Sequence, residues 1–116
     1  MRGGSRPTSR RRPCKPQHTT PPVQDYPSTH SSLGAAAATA LAHALGSDAI
    51  AFELTSTSAL PANPARRFNS FSEAARENAD SRVRAGIHFR FATQAGLAQG
   101  EQVGRHTVQH ILMPLQ

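Results

Sequence analysis

Gly96, Gly100 and Gly104 stand four residues apart inside a stretch, Phe89 to Leu112, that otherwise reads as one helix ended by Pro114. Glycine costs a helix interior about 1 kcal/mol relative to alanine. Three of them on one face imply that another helix backbone comes close there, since only a missing side chain permits that approach. A second stretch is strongly helix-forming, with alanine at 35 to 38, 40, 42 and 44. Leu33, Ala37, Leu41 and Leu45 recur along that helix and read as a buried or half-buried stripe, with Gly46 as its stop. Ser70, with Glu73 three residues later, has capping-box spacing and opens a further helix to about Arg84, stopped at Gly86. Ala49 to Thr57 alternates Ile50, Phe52 and Leu54 with less apolar residues, but no partner strand is visible, so an extended connector is expected. Leu60-Pro61-Ala62-Asn63-Pro64 reads as a loop on its two prolines. The expectation is all-α: a partial helical bundle of about three helices joined by long loops. A second copy docking on the Gly96/Gly100/Gly104 face is the expected route to a homo-oligomer.

The net charge of +6 is unevenly placed. Arg2, Arg6, Arg10, Arg11, Arg12 and Lys15 fall in the first 16 residues with no acid among them, while the remaining seven arginines match the seven acids. Residues 1–18 therefore read as a disordered basic tail and 19–116 as the folded part. No aromatic residue interleaves the tail arginines, so a specific nucleic-acid partner is not expected. No apolar run is long enough to cross a membrane, and no apolar segment of a signal peptide comes after Arg10-Arg11-Arg12, so a soluble, cytoplasmic chain is expected. The one cysteine, Cys14, can form no internal disulfide.

Two short stretches carry the chemistry. In Asp25-Tyr26-Pro27-Ser28-Thr29-His30, the proline cannot lie within a helix, and the alanine-rich residues after His30 are strongly helix-forming. Ser28, Thr29 and His30 are gathered where a helix begins, at free backbone N–H groups and the positive end of the dipole, a seat for an oxyanion. A plain Ser/Thr cap with a neighbouring histidine has the same pattern. In Ser81-Arg82-Val83-Arg84-Ala85-Gly86-Ile87-His88, Arg82 can hold an oxyanion through its planar fork. His88 comes after a helix break, where a side chain can turn into a cleft and act as nucleophile or ligand. His106 and His110 share a helix face, but two histidines are too few for a metal site; His18 and His43 have no assigned role.

Together, Pro27-Ser28-Thr29-His30 and Ser81-Arg82-x5-His88 resemble the type 2 phosphatidic acid phosphatase and vanadium haloperoxidase superfamily, whose second motif is Pro-Ser-Gly-His and third is Ser-Arg-x5-His-x3-Asp. The flanks Thr20 to Tyr26 and Gly86 to Phe91 look like its soluble bacterial haloperoxidase branch, and the resemblance covers residues 19 to 112. It implies that His88 is the vanadate ligand, or the nucleophile of a phosphatase. His30 would be the acid/base, Arg82 the stabiliser of the equatorial oxygens, and Ser28 and the Thr29 N–H further oxyanion donors. The implied cofactor is vanadate and the implied partner a small-molecule or oxyanion substrate. Three departures stand out. Thr29 replaces the glycine of the second motif. Ala92 replaces the aspartate of the third, which leaves His88 without its expected orienting carboxylate. The first motif, Lys-x6-Arg-Pro, is not found, so the chain reads as the C-terminal part of such a protein with an unrelated basic leader. The implied function is peroxide-dependent halide oxidation by an incomplete haloperoxidase. The alternatives are phosphoester hydrolysis through a histidine nucleophile, or a non-catalytic helical interaction fragment.

Overall fold

A computed structural model describes residues 21–56 and 65–113. The expected basic tail with Cys14 and His18, and the loop from Leu60 to Pro64, lie outside the described residues. The element order is α1 (Thr29–Leu45), β1 (Phe52–Thr55), β2 (Ala65–Phe68), α2 (Phe71–Arg84) and α3 (Arg90–His110). The architecture is helical, as expected, with one small addition.

Each helix end has a local cause. Ser28 caps α1 in an extended conformation and accepts the Ser31 N–H, and Gly46 closes the helix in the left-handed region at φ 77°. Ser70 caps α2 by accepting the Glu73 N–H at 3.0 Å. The reciprocal arm of the capping box is displaced by one residue, because Glu73 accepts the Asn69 N–H, at 2.7 Å. Asp48 adds a second anchor: its carboxylate accepts the Ser72 N–H at 2.9 Å and the Ser72 hydroxyl, placing negative charge at the start of α2.

The glycine face of α3 is filled by α1 of the same chain. A Cβ at Gly96 would lie 2.6 Å from the Ser28 carbonyl oxygen, one at Gly100 2.1 Å from that of Ser32, and one at Gly104 2.8 Å from the Thr39 Cβ. All three glycines are buried. The close helix approach read from their spacing is therefore present, but it lies within the chain, and this face is not available to a second copy. The homo-oligomer expected there is corrected accordingly.

The same packing overturns the leucine stripe. The face of α1 turned to α3 carries Ser31, Ser32, Ala35, Ala36 and Thr39, small residues that let two backbones meet. Leu33, Leu41 and Leu45 are left exposed at 66%, 46% and 59%. The buried apolar residues are correspondingly small or few: Ala35, Phe68, Phe71, Ala75, Ala79, Ala92 and Val108.

Ala49 to Thr57 is not a simple connector. Residues 52–55 form β1, which pairs antiparallel with β2, Phe52 opposite Phe68 and Glu53 opposite Arg67. The Ala65-Arg66-Arg67-Phe68 strand escapes a hydrophobic-period search because only its last residue is buried. Its other links are polar: Arg67 donates to Glu53 at 2.7 Å and Arg66 to Glu77 of α2 at 2.6 and 2.8 Å. Phe52 joins the hairpin to the core through ring contacts with Phe68 at 5.5 Å and Phe71 at 5.2 Å. Among the described residues, no helix is long and apolar enough to cross a membrane.

Candidate oxyanion site

The turn after α2 fixes the distance between the two residues of Ser81-Arg82-x5-His88. Gly86 takes φ 72°, a conformation that suits glycine. Its N–H donates to the Val83 carbonyl at 3.0 Å and the next N–H, of Ile87, to that of Arg82 at 3.0 Å. This crossed pair is a Schellman closure. The His88 N–H also donates to the Arg82 carbonyl, at 3.3 Å. The chain thus doubles back, and His88 is bonded to the residue six positions before it. His88 is buried, its side chain 3% exposed.

The other stretch is laid against the start of α3. The Ser28 N–H donates to the Ala92 carbonyl at 3.0 Å. Tyr26 stacks on Phe91 with ring centroids 5.7 Å apart. Asp25 Oδ1 lies 3.0 Å from His88 Nδ1 and accepts the Phe89 N–H at 3.2 Å. The absence of a carboxylate at Ala92 therefore does not leave His88 without one, because Asp25 reaches it from the other side. That corrects the expectation drawn from the third motif.

Arg82 and Asn78 lie four apart on α2, and the Asn78 amide donates to the His30 carbonyl at 2.8 Å, tying the first turn of α1 to α2. Arg82 Nε is buried with no hydrogen-bond partner. Leaving such a donor unmade costs roughly 1–3 kcal/mol, more for a charged group. His30 is held below the ordinary imidazole range, first by partial burial, then by the charge of Arg82 and by its electrostatic coupling to His88. The two stretches are brought side by side by the Asn78 bond to the His30 carbonyl and the Ser28 bond to the Ala92 carbonyl. Ser28 is fully buried and its Oγ accepts the Ser31 hydroxyl at 3.0 Å, so its own proton remains free to donate. Thr29 is the first residue of α1 and is exposed.

This is a donor set of guanidinium, hydroxyl, helix-start N–H and imidazole. It suits an oxyanion rather than a bare cation, and among the described residues no group of three or more His, Cys, Asp or Glu could hold a metal ion. A mostly apolar groove of about 860 Å³ lies between α1, α2 and the hairpin, and His30, Arg82 and His88 do not line it. His106 and His110 stack on each other at 4.4 Å on the exposed face of α3, remote in sequence from either stretch. Asp25, Ser31 and Asn78 are the residues that sequence reasoning passed over. Helical phase relative to Arg82 would have found Asn78; nothing in the spacing pointed to Asp25.

Three helices packed on one another, with a small hairpin at one side, define a partial helical-bundle domain. The chain belongs to the vanadium haloperoxidase superfamily: residues 5–116 match the sequence family described as the VCPO second helical-bundle domain. The crystal structure of the first bacterial vanadium-dependent iodoperoxidase is 38% identical, with a TM-score of 0.72, over 82% of this chain and 23% of that one. An apo bacterial vanadium-dependent chloroperoxidase is 26% identical, with a TM-score of 0.56, over 70% of this chain and 20% of that one. The chain thus spans less than a quarter of either protein's length. No curated protein matches it.

Proposed function

We propose that this chain carries the histidine-bearing part of a vanadium haloperoxidase site, with His88 as the vanadate ligand, and that its chemistry is peroxide-dependent oxidation of a halide. The observation that carries this reading is Arg82 Nε, a buried cationic donor with nothing to donate to, on the residue whose carbonyl also receives His88. An oxyanion between the two would satisfy it. When bound, vanadate supplies a Lewis-acidic centre that activates peroxide toward halide.

The protein's own residues have separate tasks. Arg82 and the N–H groups opening α1 neutralise charge on the oxyanion, and the Ser28 proton adds a directed donor. His30, whose imidazole lies below its ordinary range, can take a proton from peroxide and return it later. The lysine and arginine of the superfamily's first motif are not among the 116 residues, so the binding measured on this chain reflects half of the cradle.

Vanadate titration of the 116-residue chain, monitored by ⁵¹V NMR and calorimetry, is the test. Saturable binding that His88→Ala abolishes and Arg82→Ala weakens is expected. Binding untouched by His88→Ala, or none at all, refutes the reading. Peroxide-dependent halogenation of a phenol dye then distinguishes a haloperoxidase from a phosphatase, which would hydrolyse nitrophenyl phosphate instead.

A further inference from the structure

The carboxylate beside His88 comes from an unexpected place. We infer that Asp25 is the positioning residue of His88: it holds a proton on Nδ1, so that Nε2 is the ring nitrogen offered to the oxyanion. This rests on the reading of His88 as the ligand.

An ionised carboxylate only accepts hydrogen bonds, so the 3.0 Å contact between Asp25 Oδ1 and His88 Nδ1 requires the proton on the ring. In the neutral imidazole, the lone pair is then on Nε2. The carboxylate is itself fixed, since the same oxygen accepts the Phe89 N–H at 3.2 Å. Its backbone is fixed as well. The Tyr26 stack on Phe91 at 5.7 Å and the Ser28 N–H to Ala92 carbonyl bond at 3.0 Å clamp the residues that follow Asp25 to the start of α3. The ring is almost fully withdrawn from water while Asp25 keeps a third of its side chain exposed, 3% against 33%. A buried imidazole with one nitrogen committed to a carboxylate has one orientation and one tautomer.

Position 92 shows why this matters. Ala92 is 0% exposed and carries no acceptor in its side chain, so the carboxylate that the third motif would supply from α3 is replaced by one from the loop before α1. The consequence is a different wiring. The segment from Asp25 to His30 holds the orienting carboxylate, an oxyanion donor and the acid/base candidate together, so a shift of that segment disturbs all three at once.

The experiment uses the 116-residue chain with ¹⁵N-labelled histidine at about pH 8, where an ordinary imidazole is neutral. Long-range ¹H–¹⁵N spectra report which ring nitrogen carries the proton, without any vanadate present. Wild-type His88 is expected as the Nδ1–H tautomer, with the signal moving to the Nε2–H form, or a mixture, in Asp25→Ala. Asp25→Leu, which fills the same space without an acceptor, is read the same way should the alanine variant lose helicity by circular dichroism. Vanadate affinity is expected to fall about 10- to 100-fold, the usual effect of losing such a partner. A wild-type ring protonated on Nε2, or a tautomer unchanged in both variants, overturns the inference. If the tautomer shifts and vanadate binds neither protein, the ligand reading of His88 fails and the positioning role of Asp25 stands. If vanadate binds and the tautomer does not respond to Asp25, the reverse holds.

Discussion

Replacing Gly100 with alanine puts a methyl group where α1 already is. The new Cβ would lie 2.1 Å from the Ser32 carbonyl oxygen and 2.8 Å from the Ala35 Cβ. Ordinary contact begins at 3.4 Å, so α1 and α3 must part by about 1.3 Å, the difference between 3.4 and 2.1. The obstructing atom is backbone in the middle of a helix and cannot rotate away. A gap of about 0.5–1 Å already forfeits a quarter to a half of each van der Waals contact across the interface. Overpacking of this kind costs up to about 3 kcal/mol, and alanine returns about 1 kcal/mol through its helix propensity. The net is a destabilisation of about 2 kcal/mol, a fall in Tm of roughly 8–16 °C for a domain of this size. Gly34→Ala is the internal comparison. Its Cβ would meet the Asn78 side-chain amide at 2.9 Å, with the nearest backbone atom at 3.8 Å. A side chain can swing aside, so this variant should melt within a few degrees of wild type. Thermal unfolding at 222 nm on the full chain reads both. A Gly100→Ala variant as stable as wild type would refute the account of the α1–α3 contact.

The remaining predictions concern charge and caps. Because His30 lies below its ordinary value of 6.5 in the folded chain, the unfolded chain binds more protons in the window just below 6.5. Stability is therefore full above that value and is lost as the pH falls through the window. Urea midpoints at pH 8 and pH 5.5 should differ less in His30→Gln than in wild type; equal differences would exclude His30 as the source. Ser70→Ala removes the α2 cap and should cost about 1 kcal/mol in chemical denaturation. Glu77 is held below the usual carboxylate range mainly by its hydrogen bond to Arg66, but both groups are exposed at 43% and 63%. Glu77→Gln should leave the urea midpoint unchanged within error, and a marked drop would show that the hairpin depends on this pair.

Much of the fold was written in local signals. Gly46 and Gly86 sit at the helix stops because a left-handed residue was needed there, and Ser70 lies at a cap because its hydroxyl matches the Glu73 N–H. The glycine spacing of α3 correctly implied a close helix, but spacing alone does not say whose helix it is. The leucines of α1 misled for a related reason. Hydrophobicity predicted their burial, whereas contact with a glycine face selects for small size, and Ser31 and Ala35 won that position. The hairpin was hidden because it is held by two phenylalanines and by exposed ion pairs rather than by an alternating apolar face. In the candidate site, motif spacing named Ser28, His30, Arg82 and His88. It could not name Asp25, whose contact with His88 spans 63 residues of sequence and depends on how α1 is laid against α3.

The left-handed Gly86 turn also makes a ruler of the five residues between Arg82 and His88. Their separation along the backbone is set by main-chain hydrogen bonds counted from the end of α2, not by side chains at 83 to 85 and 87. A single inserted or deleted residue cannot be absorbed: it would carry the imidazole out of register with the guanidinium while leaving every helix in place.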